Sequence, residues 1–270
     1  MHRLPSHALS PGFRAVSLRP HTAPMGHVLN VDHFFMSQPT FPPHPHAGFS
    51  AVTWMAPWSA GGFINRDSLG DRTRIGPGAL HWTRAGAGMH HEELPEHAGL
   101  LCEGLQIFVK MPEALELDPP RAFHVEPAAM PTLRTAGGVV SVLVGAVGAA
   151  QADIPADGDT TMAHVRVEGA LTIEVPTGTE AFLLGLRGEG EVDGQAIGAH
   201  MATALRAGPV ALRGAAFDAL IGWSAPMPRA PRFQGPFCMF SPDRLAEAQR
   251  RAQTGGMGAL SRSKVAFARG

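Results

Sequence analysis

The sequence predicts an all-β protein made of two tandem β-barrels, with one short helix near the C-terminus. Glycine and proline are frequent, with 32 and 24 of the 270 residues, so long helices are not expected before the C-terminus. Short apolar segments of alternating polarity recur between turn residues, which is typical of a β-sandwich or barrel. A strand-and-turn pattern also repeats in the second half, which indicates that one barrel is duplicated.

The composition argues against several classes of function. The formal net charge is -1, from 22 basic and 23 acidic residues spread without blocks, so no electrostatic footprint for nucleic acid or an anionic membrane is visible. Cys102 and Cys238 lie far apart and are expected to be reduced packing residues. The first residues lack the apolar run of a signal peptide, and no later run is long enough to span a bilayer. We therefore expect a soluble, cytoplasmic protein.

The first half contains the clearest strand candidates, residues 28–35 and 49–55. In the second of these, Val52 and Trp54 fall on one face and Thr53 on the other. Residues 68–71 (SLGD) suit a hairpin turn between two further strands. The other predicted strands are short and separated by turns rich in glycine and proline: 63–67, 73–75, 79–83, 89–94 and 105–111.

The repeat predicts how the chain divides into domains. Residues 74–80 (RIGPGAL) resemble residues 206–212 (RAGPVAL), at an offset of 132 positions (206 − 74). The strand that begins at Ala51 resembles residues 183–190 at the same offset. We expect an N-terminal barrel at residues 1–130, and a degenerate C-terminal barrel with the closing helix at residues 131–270.

The closing helix has a clear beginning and end in the sequence. Ser241 is a suitable N-cap residue, and Pro242 is favoured at the first helical position. Residues 245–253 are rich in helix formers and are followed by two glycines. A solvated helix face accounts for the arginines in this segment.

Residues 41–49 (FPPHPHAGF) carry the strongest chemical signal. The two prolines that precede the histidines favour extended backbone, so His44 and His46 point to the same side of the chain. A second pair at i and i+2, His91 and Glu93, offers another imidazole and a carboxylate. Three nitrogens and one oxygen leave roughly two positions open on an octahedral ion, as in a metal site that binds substrate or O₂.

The crowded run of residues 90–93 (HHEE) allows two registers. His91 and Glu93 share one face of a strand, whereas His90 and Glu92 share the other. The second pair would reach the same site only if the strand were flipped. His81 is interpreted as a hydrogen-bonded wall residue rather than a ligand.

The repeat also predicts that only the N-terminal barrel holds a metal. At the offset of 132 positions (206 − 74), the four candidate ligands correspond to residues without a ligating side chain: Pro176, Gly178, Trp223 and Ala225.

Several segments, in the same order, resemble the pirin family of the cupin superfamily. They are residues 41–46 (FPPHPH), 65–70 (NRDSLG), 75–78 (IGPG), 85–95 (AGAGMHHEELP) and 104–106 (GLQ). Near the C-terminus, residues 235–239 (GPFCM) and the helix that follows are also similar to the pirin ending. The resemblance runs from about residue 28 to residue 256, and it is strongest from 41 to 111.

The resemblance implies a bicupin fold, which consists of two cupin-type barrels. It also implies a single metal site, which lies in the N-terminal barrel. Carried over motif by motif, the implied ligands are His44, His46, His91 and Glu93. The metal in this family is usually iron, and Fe(II) is the cofactor we expect. Three histidines and one carboxylate also accept Zn, Mn, Co, Ni or Cu.

The resemblance implies two kinds of function. Some pirins resemble quercetinases, metal-dependent dioxygenases that open a flavonol ring with O₂; Glu93 is then the expected catalytic base, and the partners are a small aromatic substrate and O₂. The cavity-facing members of residues 49–55, with Trp82, are expected to supply the apolar walls of the cavity. Other pirin-like proteins are non-enzymatic, metal- or redox-dependent regulators that bind proteins. We favour the dioxygenase, as a monomer without direct binding to nucleic acid or membrane.

Four positions depart from the usual pirin pattern. Ala47 stands where a basic residue usually follows the two histidines, and Asn65 stands where histidine is usual. The acidic residues that are usual near Ser50 and near His33 are replaced as well. Such positions tune ligand orientation and substrate contacts. We expect metal binding to be retained despite these changes. The identity of the substrate is the property that we expect to differ from that of typical pirins.

Overall fold

Strands make up nearly all the regular structure in the computed structural model, which describes residues 1–261. Within that range there is one α-helix, α1 (Pro242–Gln253), and three short 3-10 helices at Glu113–Leu115, Pro127–Ala129 and Asp157–Asp159. Ser241 caps α1 as predicted, because its hydroxyl accepts a hydrogen bond from the backbone N–H of Asp243. The predicted all-β class is confirmed. No helix in the described range is long and apolar enough to cross a bilayer.

Twelve strands lie before residue 126. They are β1 (His2–Arg3), β2 (Ser6–Ser10), β3 (Phe13–Leu18), β4 (Val28–Met36), β5 (His44–His46), β6 (Phe49–Met55), β7 (Phe63–Asp67), β8 (Arg72–Ile75), β9 (Leu80–Arg84), β10 (Met89–Pro95), β11 (Cys102–Lys110) and β12 (Arg121–Val125).

Fourteen further strands follow in the described part of the chain. They are β13 (Thr132–Thr135), β14 (Gly138–Val144), β15 (Ala146–Val147), β16 (Ala150–Gln151), β17 (Thr161–Val167), β18 (Ala170–Val175), β19 (Glu180–Arg187), β20 (Glu189–Val192), β21 (Gln195–Gly198), β22 (Met201–Leu205), β23 (Gly208–Gly214), β24 (Phe217–Ser224), β25 (Arg232–Gln234) and β26 (Phe237–Met239).

A seven-stranded and a four-stranded sheet carry the N-terminal histidines. The large sheet has the order β12-β9-β6-β11-β4-β3-β2, and the small sheet has the order β5-β10-β7-β8. All seven residues of β6 are buried, as expected for a central strand covered on both faces. Thr53 on β6 donates a hydrogen bond to Glu93 on β10, so the inner faces of the two sheets are opposed.

The C-terminal half repeats this plan. Its large sheet has the order β1-β22-β19-β24-β17-β14-β13, and its small sheet has the order β18-β23-β20-β21. Matching the orders strand by strand pairs β6 with β19, β11 with β24, β5 with β18 and β10 with β23. The predicted duplication of one barrel is therefore confirmed.

The predicted offset of the repeat is wrong in detail. The turn at residues 76–78 lies between β8 and β9, and strand order places its counterpart between β21 and β22, whereas residues 206–212 lead from β22 into β23. Loops of different length shift the offset from 133 at β4 and β17 (161 − 28) to 119 at β10 and β23 (208 − 89). The counterparts of the histidine-bearing strands are thus β18 (ALTIEV) and β23 (GPVALRG), which contain no histidine.

Contacts within the chain define two compact units. One consists of Met1–Pro5, Val16–Val31 and Ala128–Met227, and the other consists of Ser6–Ala15, Asp32–Pro127 and the segment from Pro228. Because each unit is assembled from several segments, these contacts do not test a single boundary at residue 130, which stays a prediction.

Helix α1 packs within the unit that carries the histidines. Leu245 on its inner face joins a cluster with Ala47 and Phe237. Beside this cluster, the fully buried Lys110 donates a hydrogen bond of 2.6 Å to Glu116, whose other oxygen accepts one of 2.8 Å from Arg244 of α1. A buried charge network of this kind is costly to break, so it holds α1 against the barrel.

Candidate metal centre

Strands β5 and β10 place three histidines on one face of the small sheet. The two strands pair antiparallel, with His91 opposite His44 and Met89 opposite His46. Directly paired residues point to the same face, and so do residues two apart on one strand. His44, His46 and His91 therefore converge, as the alternation of the sequence predicts.

The three imidazoles are close enough to share one ion. One ring nitrogen from each lies within 4.8 Å of the others. Ring centroids are 4.7 Å apart for His44 and His46, 4.8 Å for His44 and His91, and 4.9 Å for His46 and His91. Among residues 1–261, this is the one group of three or more His, Cys, Asp or Glu side chains placed to hold a metal.

Burial keeps these rings neutral. It lowers the pKa of His46 to about 3, with a smaller contribution from the neighbouring His44. Burial also lowers the pKa of His91 well below its ordinary value, and it lowers the pKa of His44. A neutral imidazole keeps the nitrogen lone pair that a metal ion needs.

The surroundings of the rings fit a metal ion. Nδ1 of His44 lies 2.9 Å from the carbonyl oxygen of Pro42, so Nδ1 carries the proton and Nε2 is left as a donor atom for a metal. Nδ1 of His91 is buried and has no hydrogen-bond partner in the described part of the chain. Three neutral imidazoles form a donor set that suits several first-row transition metals without selecting among them.

Glu93 lies beside this group and is not part of it. Its side chain lines the same cavity, and its Oε2 accepts a hydrogen bond of 2.6 Å from Thr53 Oγ1. Burial raises the pKa of Glu93 to about 7, although the hydrogen bond from Thr53 acts in the opposite direction. Glu93 as a fourth ligand and as a catalytic base stays a prediction.

His90 and Glu92 occupy the opposite face of β10. Glu92 is buried against Arg66, whose Nε donates a hydrogen bond of 2.7 Å to it. Nδ1 of His90 lies 3.5 Å from the carbonyl oxygen of Met257, away from the other histidines. The alternation along β10 thus separates the pair at 91 and 93 from the pair at 90 and 92.

A cavity of about 260 Å³ opens beside the three histidines. Gln106 and Glu93 line it together with the histidines, and His7 and Asp32 are the other polar groups in its lining. The apolar lining consists of Leu9, Phe13, Ala15, Phe34, Met36, Phe41, Phe63 and Phe108. In the large sheet these residues come from the consecutive strands β11, β4, β3 and β2, so the cavity lies against four neighbouring strands.

The predicted walls of this cavity are wrong. No residue of 49–55 lines it, and Trp82 is buried in the core. Sequence reasoning missed the phenylalanines of β3 and β4, because nothing local shows that these strands continue the sheet beside β11. The spacing of Asp32, Phe34 and Met36 at i, i+2 and i+4 could have placed them on one face, but not on the face that lines the cavity.

His81 differs from its predicted role as a hydrogen-bonded wall residue. It is only 1% exposed, and neither ring nitrogen has a hydrogen-bond partner among residues 1–261. Burial lowers the pKa of His81 to about 4, so the ring is neutral.

The fold and the site together define a two-barrel protein of the cupin type with a three-histidine group in one barrel. Residues 13–109 match the family model described as Pirin. The predicted resemblance to pirins is thereby confirmed.

Two relatives and one solved structure describe the extent of this similarity. A Pseudomonas aeruginosa protein, named provisionally as a quercetin 2,3-dioxygenase, is 40% identical over 106 residues, which cover 39% of this chain and 36% of that protein. A pirin-like protein of Caulobacter vibrioides is 29% identical over 233 residues, covering 82% of this chain and 80% of its own. The crystal structure of quercetin 2,3-dioxygenase from Acinetobacter baumannii matches 96% of both chains with a TM-score of 0.83 and 22% identity, which shows a shared fold. The first alignment spans little more than a third of its relative.

Proposed function

We propose that this protein is a metal-dependent dioxygenase of the pirin and quercetinase type, which opens a flavonol-like aromatic substrate with O₂. The observation that carries the proposal is the convergence of three neutral histidines in the lining of a cavity that also contains several phenylalanines. The names of the Pseudomonas relative and the Acinetobacter structure support the same reaction class.

The cavity suits a flat aromatic molecule. Phe13, Phe34 and Phe108 come from three neighbouring strands of the large sheet and offer aromatic walls, against which a fused-ring compound can pack. Such walls exclude water and leave the few polar groups of the lining to orient the ligand.

His44, His46 and His91 would hold the metal, with Glu93 as the proposed fourth ligand and Fe(II) as the expected ion. When bound, the metal supplies Lewis-acid polarisation of the substrate hydroxyl and a site for O₂ chemistry. The histidines contribute neutral donors that burial keeps unprotonated.

Glu93 is suited to move the substrate proton. A carboxyl group with a pKa of about 7 can accept a proton from an acidic hydroxyl near neutral pH. Thr53 donates a hydrogen bond to its Oε2 and fixes its orientation, while Gln106 lies within hydrogen-bond distance of the same threonine, at 3.0 Å. Glu93 would thus take the hydroxyl proton within the cavity.

The test is O₂ consumption by anaerobically iron-loaded protein supplied with quercetin, with flavonol loss followed in parallel. We expect uptake stoichiometric with flavonol loss, and a decrease in kcat of about 10²- to 10⁴-fold for Glu93→Ala. His91→Asn should abolish both metal binding and uptake. His90→Asn is the matched control, because the neighbouring side chain faces away from the site.

Absence of O₂ uptake with iron still bound would contradict the flavonol dioxygenase. The remaining hypothesis would then be the non-enzymatic regulator, in which the oxidation state of the metal changes binding to another protein. Equal loss of uptake in the His90 and His91 variants would contradict the assignment of His91 as a ligand.

A further inference from the structure

Asp67 is a buried carboxylate placed directly beside His91. It ends strand β7 and is 3% exposed. The pairing of β7 with β10 sets Asp67 opposite His91, and Glu93 opposite Asn65. Because directly paired residues share a face, the carboxylate lies on the same side of the small sheet as the three histidines.

The two oxygens of this carboxylate have different surroundings. Oδ1 accepts hydrogen bonds from the backbone N–H groups of Leu69, at 2.8 Å, and Asp71, at 3.0 Å, within the turn that follows β7. Oδ2 is buried and has no hydrogen-bond partner among residues 1–261. A buried acceptor without a partner is costly, so a donor is expected next to it.

His91 has a ring nitrogen that lacks a hydrogen-bond partner and could donate to Asp67. Its Nδ1 is buried and also lacks a hydrogen-bond partner in the described part of the chain. Cβ atoms of directly opposed residues lie about 4.5 to 5.5 Å apart, which brings an imidazole and a carboxylate within reach of each other. Nδ1 of His91 and Oδ2 of Asp67 are not hydrogen-bonded to each other in the structure, so a direct bond requires a rotation of one of the two side chains.

We propose that Asp67 is a positioning residue for the metal centre: its Oδ2 accepts the hydrogen bond of Nδ1–H of His91 and so fixes the tautomer in which Nε2 binds the metal. Histidine ligands commonly donate their second ring N–H to a carboxylate or a carbonyl oxygen. His44 has such a partner in the carbonyl oxygen of Pro42. This inference rests on the proposed metal site.

The substitution Asp67→Asn tests the proposal sharply. The two backbone N–H groups of the turn require an oxygen at the Oδ1 position, so the new amide must turn its NH₂ group toward His91. His91 Nδ1 then faces a donor, and the ring is driven to the tautomer that is protonated on Nε2. This tautomer cannot bind a metal through Nε2.

The first measurement is the tautomer of His91 in the metal-free protein, from long-range ¹H–¹⁵N correlation spectra of its ring. We expect the proton on Nδ1 in the wild type and on Nε2 in Asp67→Asn. The second measurement is Co(II) affinity from the visible absorption of the bound ion. We expect Asp67→Asn to weaken it by about 10- to 100-fold.

Asp71→Asn is the matched control. It removes the same charge from the same hairpin, yet its carboxylate accepts hydrogen bonds from Asn65 and Thr73 and not from His91. This control should keep the wild-type tautomer and Co(II) affinity. Equal weakening in both variants would overturn the proposal in favour of a general charge effect.

The proposal can also be tested on the wild type alone, in case Asp67→Asn does not fold. If His91 of the wild type is protonated on Nε2, the proposal is wrong. If the wild type binds no Co(II) at all, the proposed function fails. The tautomer in the metal-free protein still decides the pairing of Asp67 with His91.

Discussion

Glu93 makes the stability of the metal-free protein depend on pH. Burial raises the pKa of this carboxyl group from an ordinary value of 4.5 to about 7. Between these values, the unfolded chain releases the proton whereas the folded chain keeps it. The folded state therefore binds more protons, and the contribution of Glu93 to the free energy of unfolding falls as pH rises from 4.5 to about 7.

We predict that Glu93→Gln removes this dependence, because glutamine stays neutral at every pH. As pH rises from 5 to 8, the free energy of unfolding of the metal-free variant should increase relative to that of the wild type by up to about 3 kcal/mol. Urea unfolding at both pH values measures the difference. The exposed Glu174, changed to glutamine, is the control, and a wild-type pH dependence in Glu93→Gln would contradict the buried, protonated carboxyl group.

At the scale of elements, the turn after β5 depends on Gly48. Its φ angle is +81°, a left-handed conformation that strains other residues. A Cβ atom at this position would collide with the carbonyl oxygen of Cys238 on β26. The close approach of β26 therefore requires glycine immediately after the two histidines of β5.

We predict that Gly48→Ala destabilises the protein by more than about 3 kcal/mol and weakens metal binding, because strain and collision add. Gly70→Ala is the matched control: its φ angle is +94°, but the space around it is open. The control should cost only the strain of about 1–2 kcal/mol. Urea unfolding and Co(II) titration measure both effects, and equal costs would contradict the role of the contact with β26.

At the scale of the whole molecule, duplication of the barrel does not duplicate the site. The strands that correspond to β5 and β10 are β18 and β23, and neither contains histidine. Their inward positions are largely apolar, with Leu171, Ile173, Val210 and Leu212 buried in a hydrophobic core. In the second barrel, apolar side chains thus occupy the space that corresponds to the histidine group of the first barrel.

We predict that the protein binds one transition metal ion per chain. Elemental analysis after loading with Co(II) and removal of excess metal should give a stoichiometry near one, and near zero for His91→Asn. A stoichiometry near two in the wild type would show that the C-terminal barrel holds a site that its residues do not suggest.

The strands near the site and the face on which their histidines lie were largely predictable, because they depend on local rules. Prolines set the extended backbone at His44 and His46, and alternation along β10 separates His91 from His90. The closing helix was predictable from its cap at Ser241. The offset of the repeat was not predictable, because the similar turn sequences at residues 74–80 and 206–212 lie at turns that do not correspond to each other in the two barrels.

The all-β class, the duplicated plan and the facing histidines can be predicted from the sequence, since they follow from turn residues and from side chains that alternate along a strand. Three features are visible only in the folded chain: β2, β3 and β4 line the cavity, Thr53 donates a hydrogen bond to Glu93, and Asp67 lies opposite His91. These features depend on strand order and register, which bring together residues far apart in the chain. Local patterns do not encode that order, and packing of the two sheets selects it.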